Sequence, residues 1–261
     1  MNIQPQLKMQ DFPAIALNSF VTVDGEAPEQ LVWKADGAAF TAATPSGSWK
    51  LALAEKNGRI DAAVTGTLKK KADVLDFTLF QLPAFHADHV LPQNIKMGGC
   101  QAHNLKNMTE PAAFSGQIMT SVTKDGVTMQ ISTPFHAGFP VLAQGIAEQG
   151  QIRDFRLVMQ AHYYGGAELV FPVVSFRTSR NGFELMDAYA DENCDVKKEF
   201  AAPSAGWNSW DYYRWTITED EVLKNAEFIA KDPVLSKHVK RIIVDDGWQY
   251  CYGEWDANSW F

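Results

Sequence analysis

Val239-Lys240-Arg241-Ile242-Ile243-Val244-Asp245-Asp246-Gly247-Trp248 is the stretch on which the fold turns. Ile242, Ile243 and Val244 form an unbroken β-branched run. Such a run reads as a strand buried on both faces, the mark of a parallel sheet. Upstream, Thr218-Glu219-Asp220-Glu221 has the form of a capping box, with threonine at the N-cap and glutamate three residues on. Val222, Leu223, Ala226, Ile229 and Ala230 then recur at helical spacing, which predicts a helix over 218–231 that Asp232-Pro233 ends. A short strand over 202–207 precedes it. The unit is strand, helix, strand, the repeat of an α/β barrel or of an open α/β sheet.

The first two hundred residues read differently. Short runs rich in Val, Ile, Thr and Phe alternate with turn signals. They cover 19–23 before Asp24-Gly25, 49–54 before Asn57-Gly58, 60–68, and 73–82 with its apolar alternation. Residues 118–123 and 127–133 flank Lys124-Asp125-Gly126 as a hairpin. Further strands are expected over 153–160, 167–176 and 183–189. With no long helical period between them, these runs predict a large antiparallel β-sandwich of two sheets over residues 1–200. Tryptophan marks the same boundary. Of the eight, Trp33 and Trp49 lie before residue 200, and Trp207, Trp210, Trp215, Trp248, Trp255 and Trp260 lie after it.

Bulk properties remove several classes of function. The 261 residues carry a net charge of −8 and are 46% hydrophobic, a globular composition without the basic surface that phosphate backbones require. The densest basic run, Lys69-Lys70-Lys71, is followed by Asp73 and Asp76, so no nucleic-acid partner is expected. No run of about 18 apolar residues is present, and no membrane partner is expected. The N-terminus lacks a basic segment followed by an apolar one, and Cys100, Cys194 and Cys251 are too few and too scattered for a disulfide framework. Both features point to the cytoplasm. No phosphate-binding glycine loop and no nucleophile elbow occurs.

Three constellations carry chemistry. The first is Asp245-Asp246 at the end of the buried strand, where parallel folds meet their ligands and where carboxylates accept hydrogen bonds from sugar hydroxyls. The plain alternative is an aspartate capping a turn. The two are not an acid and nucleophile pair. Adjacent strand residues point to opposite sides, whereas a retaining glycosidase needs carboxyls that flank one bond. The second is Gly206-Trp207-Asn208-Ser209-Trp210-Asp211-Tyr212-Tyr213. Its aromatic faces suit the CH-rich face of a pyranose, and packing under a barrel rim is the other reading of Trp207 and Trp210. The third is His86-Ala87-Asp88-His89 with Cys100 and His103, which has zinc-like spacing but sits among prolines and glycines and reads better as loop histidines.

These residues resemble a known family. Gly206 to Trp210, the helix opening Ile217-Thr218-Glu219-Asp220-Glu221, the strand end Asp245-Asp246-Gly247-Trp248-Gln249, and Gly253-Glu254-Trp255 with Phe261 are similar to the start of the catalytic barrel of the α-galactosidase (melibiase) clan. Within it they look closest to family 36 glycoside hydrolases, which include raffinose and stachyose synthases. The resemblance covers about the last 60 residues, with a loose likeness near 96–103. It implies an N-terminal sandwich over 1–200 and, over 201–261, the first portion of a (β/α)8 barrel.

It also implies that Asp245 and Asp246 bind galactose hydroxyls O4 and O6 and that Trp210 lines the galactose pocket. Trp207 is the further sugar-binding candidate beside it. The implied activity is a retaining double displacement that releases terminal α-galactosyl groups from oligosaccharides such as melibiose or raffinose. No metal or organic cofactor is implied.

The sequence departs from the family pattern in stopping at Phe261, just past the second strand. The segments that carry the family's nucleophile and acid/base have no counterpart, so no catalytic residue is assigned. One strand–helix–strand unit cannot close an eight-stranded barrel, and the expectation is an N-terminal fragment of the parent enzyme, inactive alone. Raffinose-synthase-type galactosyl transfer, α-N-acetylgalactosaminidase activity and a non-catalytic carbohydrate-binding sandwich stand as alternatives. A homo-oligomer of the full-length parent is left open.

Overall fold

The computed structural model describes residues 2–93, 102–135, 138–193 and 205–261. The chain divides into two compact units, Met1–Cys194 and Asp195–Phe261. Cys100, Cys194, His136 and the start of the strand expected over 202–207 lie outside the described residues.

The first unit is built on two antiparallel sheets. Among the described residues one sheet has ten strands. Its central order runs Met119–Lys124, Val127–Ser132, Val174–Ser179, Arg59–Leu68, Gly47–Lys56 and Ala39–Ala43. The other has six strands, with Val141–Glu148, Gln151–Gln160, Leu75–His86 and Phe20–Val23 in its middle. Alternation along each strand puts one side chain in two into a shared apolar layer. In Arg59–Leu68 the inward residues Ile60, Ala62, Val64 and Leu68 are all buried. Rings from the two sheets meet in that layer: Trp49 lies 5.2 Å from Phe77, and Phe80 lies 6.4 Å from Phe176. Two sheets face to face over one core make this unit a β-sandwich.

The two indole N–H groups drawn into the layer keep their partners, as burial demands. The Trp49 Nε1–H donates to Thr44 Oγ1 at 3.1 Å. The Trp33 Nε1–H reaches Ser19 Oγ at 3.3 Å, and that hydroxyl donates to the Leu79 carbonyl at 2.7 Å. The expected hairpin closes as Met119–Lys124 against Val127–Ser132, with Lys124 paired to Val127 and both Asp125 and Gly126 at positive φ, the turn geometry that Asp-Gly favours.

Two of the strands expected for this unit change. The single strand over 167–176 is two strands, Glu168–Val170 and Val174–Ser179, both paired to Arg59–Leu68. Pro172 lies between them and has no N–H to give a ladder. The strand expected over 183–189 is the helix Gly182–Asn193. Asn181 starts it, its side-chain oxygen accepting the Phe183 N–H at 3.1 Å. Leu185, Tyr189 and Glu192 then recur at helical spacing on the inner side: Leu185 is buried, and the Tyr189 hydroxyl donates to the Thr133 carbonyl at 3.0 Å. The Phe183, Leu185 alternation imitated a strand, but the Glu, Leu, Met and Ala content favours the helix.

Glu192 clamps that helix to the sheet. Its carboxylate accepts from Arg59 Nη1 at 2.7 Å and pairs with Arg177, a buried residue of Val174–Ser179. Arg59 also holds Asp61 at 2.8 Å. The Arg177 hydrogen bond, followed by the charges of both guanidinium groups, holds the Glu192 carboxyl below the ordinary 4.5 of a glutamate. Its contribution is therefore complete above that value and is lost as pH falls through the lowered one. We expect Glu192→Ala to speed amide exchange across Gly182–Asn193 at neutral pH while the sheets stay protected, and acid to do the same to the wild-type chain. Hydrogen exchange read by mass spectrometry checks both; unchanged protection of the helix would remove the clamp from the account.

The histidine cluster also differs from expectation. His86, His89 and His103 lie on strands, in Leu75–His86, His89–Pro92 and His103–Asn104, and not in loops. His86 Nδ1 is 2.7 Å from the Gly150 carbonyl. Asp88 takes Lys106 at 2.8 Å and the Asp125 N–H at 2.8 Å. Among the described residues no three His, Cys, Asp or Glu gather as a metal site, and no helix is long and apolar enough to cross a membrane.

The second unit is a parallel pair of strands, Ala205–Asn208 beside Val239–Ile243, linked by helices of which Glu219–Lys231 is the longest. Thr218 is its N-cap, the hydroxyl oxygen accepting the Glu221 N–H at 3.3 Å. Only that half of the box forms. The Glu221 carboxylate instead accepts from the Tyr213 hydroxyl at 3.2 Å, tying the helix to the segment that carries Trp210. The burial expected for the second strand is absent: Ile242 is 40% and Ile243 is 45% exposed. Among the described residues the sheet has two strands, so neither face of Val239–Ile243 receives the full cover that a wider parallel sheet would give.

Candidate functional site

Both strands of the parallel pair deliver polar residues at their C-terminal ends. Asn208 stands opposite Ile243, so the first strand ends beside the start of Val244-Asp245-Asp246. Two side chains lock the ends together. Ser209, fully buried, donates its N–H to the Ile243 carbonyl at 3.2 Å and accepts the Asp245 N–H on its hydroxyl at 2.9 Å. Asn208 donates from Nδ2 to Asp245 Oδ2 at 3.0 Å and accepts the Trp210 N–H on Oδ1 at 2.7 Å. One amide thus fixes both the first carboxylate and the backbone of the tryptophan segment.

The two carboxylates sit in different surroundings. Asp245 Oδ1 accepts the Asp246 N–H at 2.8 Å. That bond, followed by the one from Asn208, keeps the Asp245 carboxyl below its ordinary 3.8, so it stays ionised at neutral pH. Asp246 is held on Oδ2 by the Tyr252 hydroxyl at 2.7 Å and on Oδ1 by a long contact from Gln249 Nε2 at 3.4 Å. The same bond pushes the Tyr252 phenol above its ordinary value. Each carboxylate is half-buried and held by neutral donors, with no Lys or Arg paired to it among the described residues. Lone pairs remain to accept hydroxyl protons of a neutral ligand.

A row of rings runs alongside. Trp210 stands edge-on to Trp215 at 5.4 Å, and Trp215 edge-on to Tyr252 at 5.8 Å. Trp248 and Trp255 form a second pair at 6.0 Å. Trp215 is 50%, Tyr252 71% and Trp255 84% exposed, so aromatic surface lies open beside the carboxylates.

The backbone around the row is tightly specified. Arg214, between Trp210 and Trp215 in the same segment, has φ 50° and ψ −129°, a strained conformation for a side chain with a Cβ. Gly247, at φ 106°, passes directly over that segment. A Cβ there would meet Arg214 O, Trp215 Cα and Ile217 Cγ2, each at 3.1 Å. Only glycine allows the carboxylate loop to lie this close to the tryptophan loop. Beyond it, Asn258 closes the loop, donating from Nδ2 to the Gly247 carbonyl at 2.7 Å and from its N–H to Trp248 O at 2.8 Å.

Of the residues expected from sequence, Asp245, Asp246 and Trp210 come together. Trp207 goes elsewhere: it precedes Asn208 on the strand, faces the other side, and packs against Tyr213 at 6.3 Å. Four groups were not assigned from sequence: Asn208, Ser209, Trp215 and Tyr252. Asn208 and Ser209 had a readable signal, two small polar residues where a strand ends next to one that ends in two aspartates. Tyr252 had none, since only the closed loop brings it back to Asp246. No family model matches the chain, and no curated protein matches it.

Proposed function

We propose that this site binds a terminal α-galactosyl group, and that residues 205–261 are the opening strand–helix–strand of an α-galactosidase-type (β/α)8 barrel. One observation carries the reading. Two carboxylates stand at the C-terminal end of a parallel strand, held by neutral donors and bordered by open aromatic faces. That pairing of acceptors for hydroxyls with a surface for CH groups is the chemistry of pyranose recognition. The exposed faces of Ile242 and Ile243 are in keeping with further barrel strands and helices packing there.

In this reading Asp245 and Asp246 bind substrate and do not react. Asp245 is committed to Asn208 and to its own loop, Asp246 to Tyr252, and consecutive residues cannot flank one glycosidic bond. The nucleophile and the acid/base belong to later barrel strands, whose loops would also decide between water and a sugar acceptor. The chain itself supplies recognition: Asp245 and Asp246 fix hydroxyls, and Trp210 and Trp215 exclude water from one face of the ring.

Titration of intrinsic tryptophan fluorescence tests this directly. Galactose, methyl α-galactoside and melibiose are expected to shift the emission with millimolar Kd, and glucose and maltose to bind at least tenfold more weakly. The chain alone is expected to leave p-nitrophenyl α-galactoside intact. No response to any galactoside, or an equal response to glucosides, would refute the reading.

A further inference from the structure

We infer that Tyr252 is a positioning residue for sugar recognition, holding Asp246 in the orientation in which it meets a ligand hydroxyl. The inference rests on the sugar-binding reading of the site. The carboxylate of Asp246 could turn freely about its last bond, since its loop is half-open to solvent. Two contacts stop it. The Tyr252 hydroxyl donates to Oδ2 at 2.7 Å, the shorter of its side-chain hydrogen bonds; the Gln249 contact to Oδ1, at 3.4 Å, is weak. Oδ2 is the engaged oxygen, and Oδ1, which has only the weak Gln249 contact, is the freer one to accept from a ligand.

Tyr252 can hold Asp246 because its own ring is held. It stands edge-on to Trp215 at 5.8 Å, with the planes at 79°, and Trp215 stands edge-on to Trp210 at 5.4 Å and 84°. The backbone beneath Trp215 is fixed by the close passage of Gly247. The phenol is thus the end of a continuous row of rings that begins at the proposed sugar platform, and the row sets both the apolar surface and the angle of one carboxylate. Removing the hydroxyl while keeping the ring leaves the row in place and releases only Asp246. The entropy of fixing that carboxylate then falls on the ligand, which weakens binding without changing any direct contact.

The test compares one sugar with two of its deoxy analogues. Methyl α-galactoside and its 4-deoxy and 6-deoxy forms are titrated into the wild-type chain, Tyr252→Phe, Asp246→Asn and the double variant. Tyr252→Phe is expected to weaken the parent sugar about tenfold. The loss should vanish for one deoxy sugar, the one without the hydroxyl that meets Asp246. Adding Tyr252→Phe to Asp246→Asn should cost nothing further, as expected for two residues acting through one contact. Equal losses on all three sugars would mean a loosened loop and overturn the positioning role. So would normal binding by Tyr252→Phe while Asp246→Asn loses the sugar, and that outcome leaves the sugar-binding reading standing. Failure of the wild-type chain to bind any of the three sinks both.

Discussion

Asp245→Ala is expected to lower the affinity for methyl α-galactoside by roughly a hundredfold or more, which takes a millimolar site out of measurable range. A hydrogen bond to a charged group is worth about 1.5–3 kcal/mol, and Asp245 has lone pairs for two hydroxyls. The loss should come with little change in stability. The groups that Asp245 holds, the Asn208 amide and the Asp246 N–H, lie near the surface, where water can replace the carboxylate. Asp245→Asn separates charge from shape: it keeps an acceptor for the Asp246 N–H but turns an amide toward the donor of Asn208, and it should bind nearly as poorly as the alanine variant. The pH dependence has a defined sign. Because its hydrogen bonds keep the Asp245 carboxyl below 3.8, the share of binding that Asp245 supplies should be complete at neutral pH and be lost as pH falls through the lowered value. Fluorescence titration from pH 3.5 to 8 reads all of this. Wild-type affinity in Asp245→Ala would remove the residue from the site.

The largest stability effect is expected in the sandwich. Phe155 is fully buried in Gln151–Gln160 and meets three other rings: Phe80 at 5.7 Å, Phe85 at 5.7 Å and Phe114 at 6.1 Å. Phe155→Ala removes the centre of that cluster. Phe155 pairs in register with Leu82 of Leu75–His86, which limits collapse of the cavity from that side; on the other side it lies at the irregularity in the ladder with Val141–Glu148. A loss of about 3–5 kcal/mol follows, a large part of the stability of an ordinary domain. Urea unfolding followed by circular dichroism measures it. A change below about 1 kcal/mol would mean that the neighbouring rings close the gap.

Much of the fold was legible, for definite reasons. The hairpin around Asp125-Gly126 and the helix capped by Thr218 are specified locally, by a turn dipeptide and by a side chain three residues from its partner. The parallel pairing of Ala205–Asn208 with Val239–Ile243 followed from an unbroken β-branched run. What that run could not reveal was exposure, because burial depends on which other elements cover the strand. The segment from Phe183 to Tyr189 reads as a strand because a short amphipathic helix and a strand share an alternating start; its assignment depends on Leu185, Tyr189 and Glu192 together, the last of them answering Arg177 and, far away in sequence, Arg59. At the site, Asp245, Asp246 and Trp210 were visible as residue types in suggestive places. The donors that orient them were less so, since Asn208 and Ser209 act across the strand pair and Tyr252 acts through a returning loop.

The ten-stranded sheet has a consequence for how the chain is made. Val174–Ser179 lies in its middle, between Arg59–Leu68 and Val127–Ser132. On a ribosome the two flanking strands emerge first and wait for the one that joins them, on the order of ten seconds for Arg59–Leu68 and a few seconds for Val127–Ser132 at usual rates of synthesis. Through that interval each presents an unpaired apolar edge, the form most open to pairing with another nascent chain. Chaperone dependence and loss to inclusion bodies should therefore track the arrival of this one late strand, and slow codons placed after it would help the sheet close where slow codons before it would prolong the exposure.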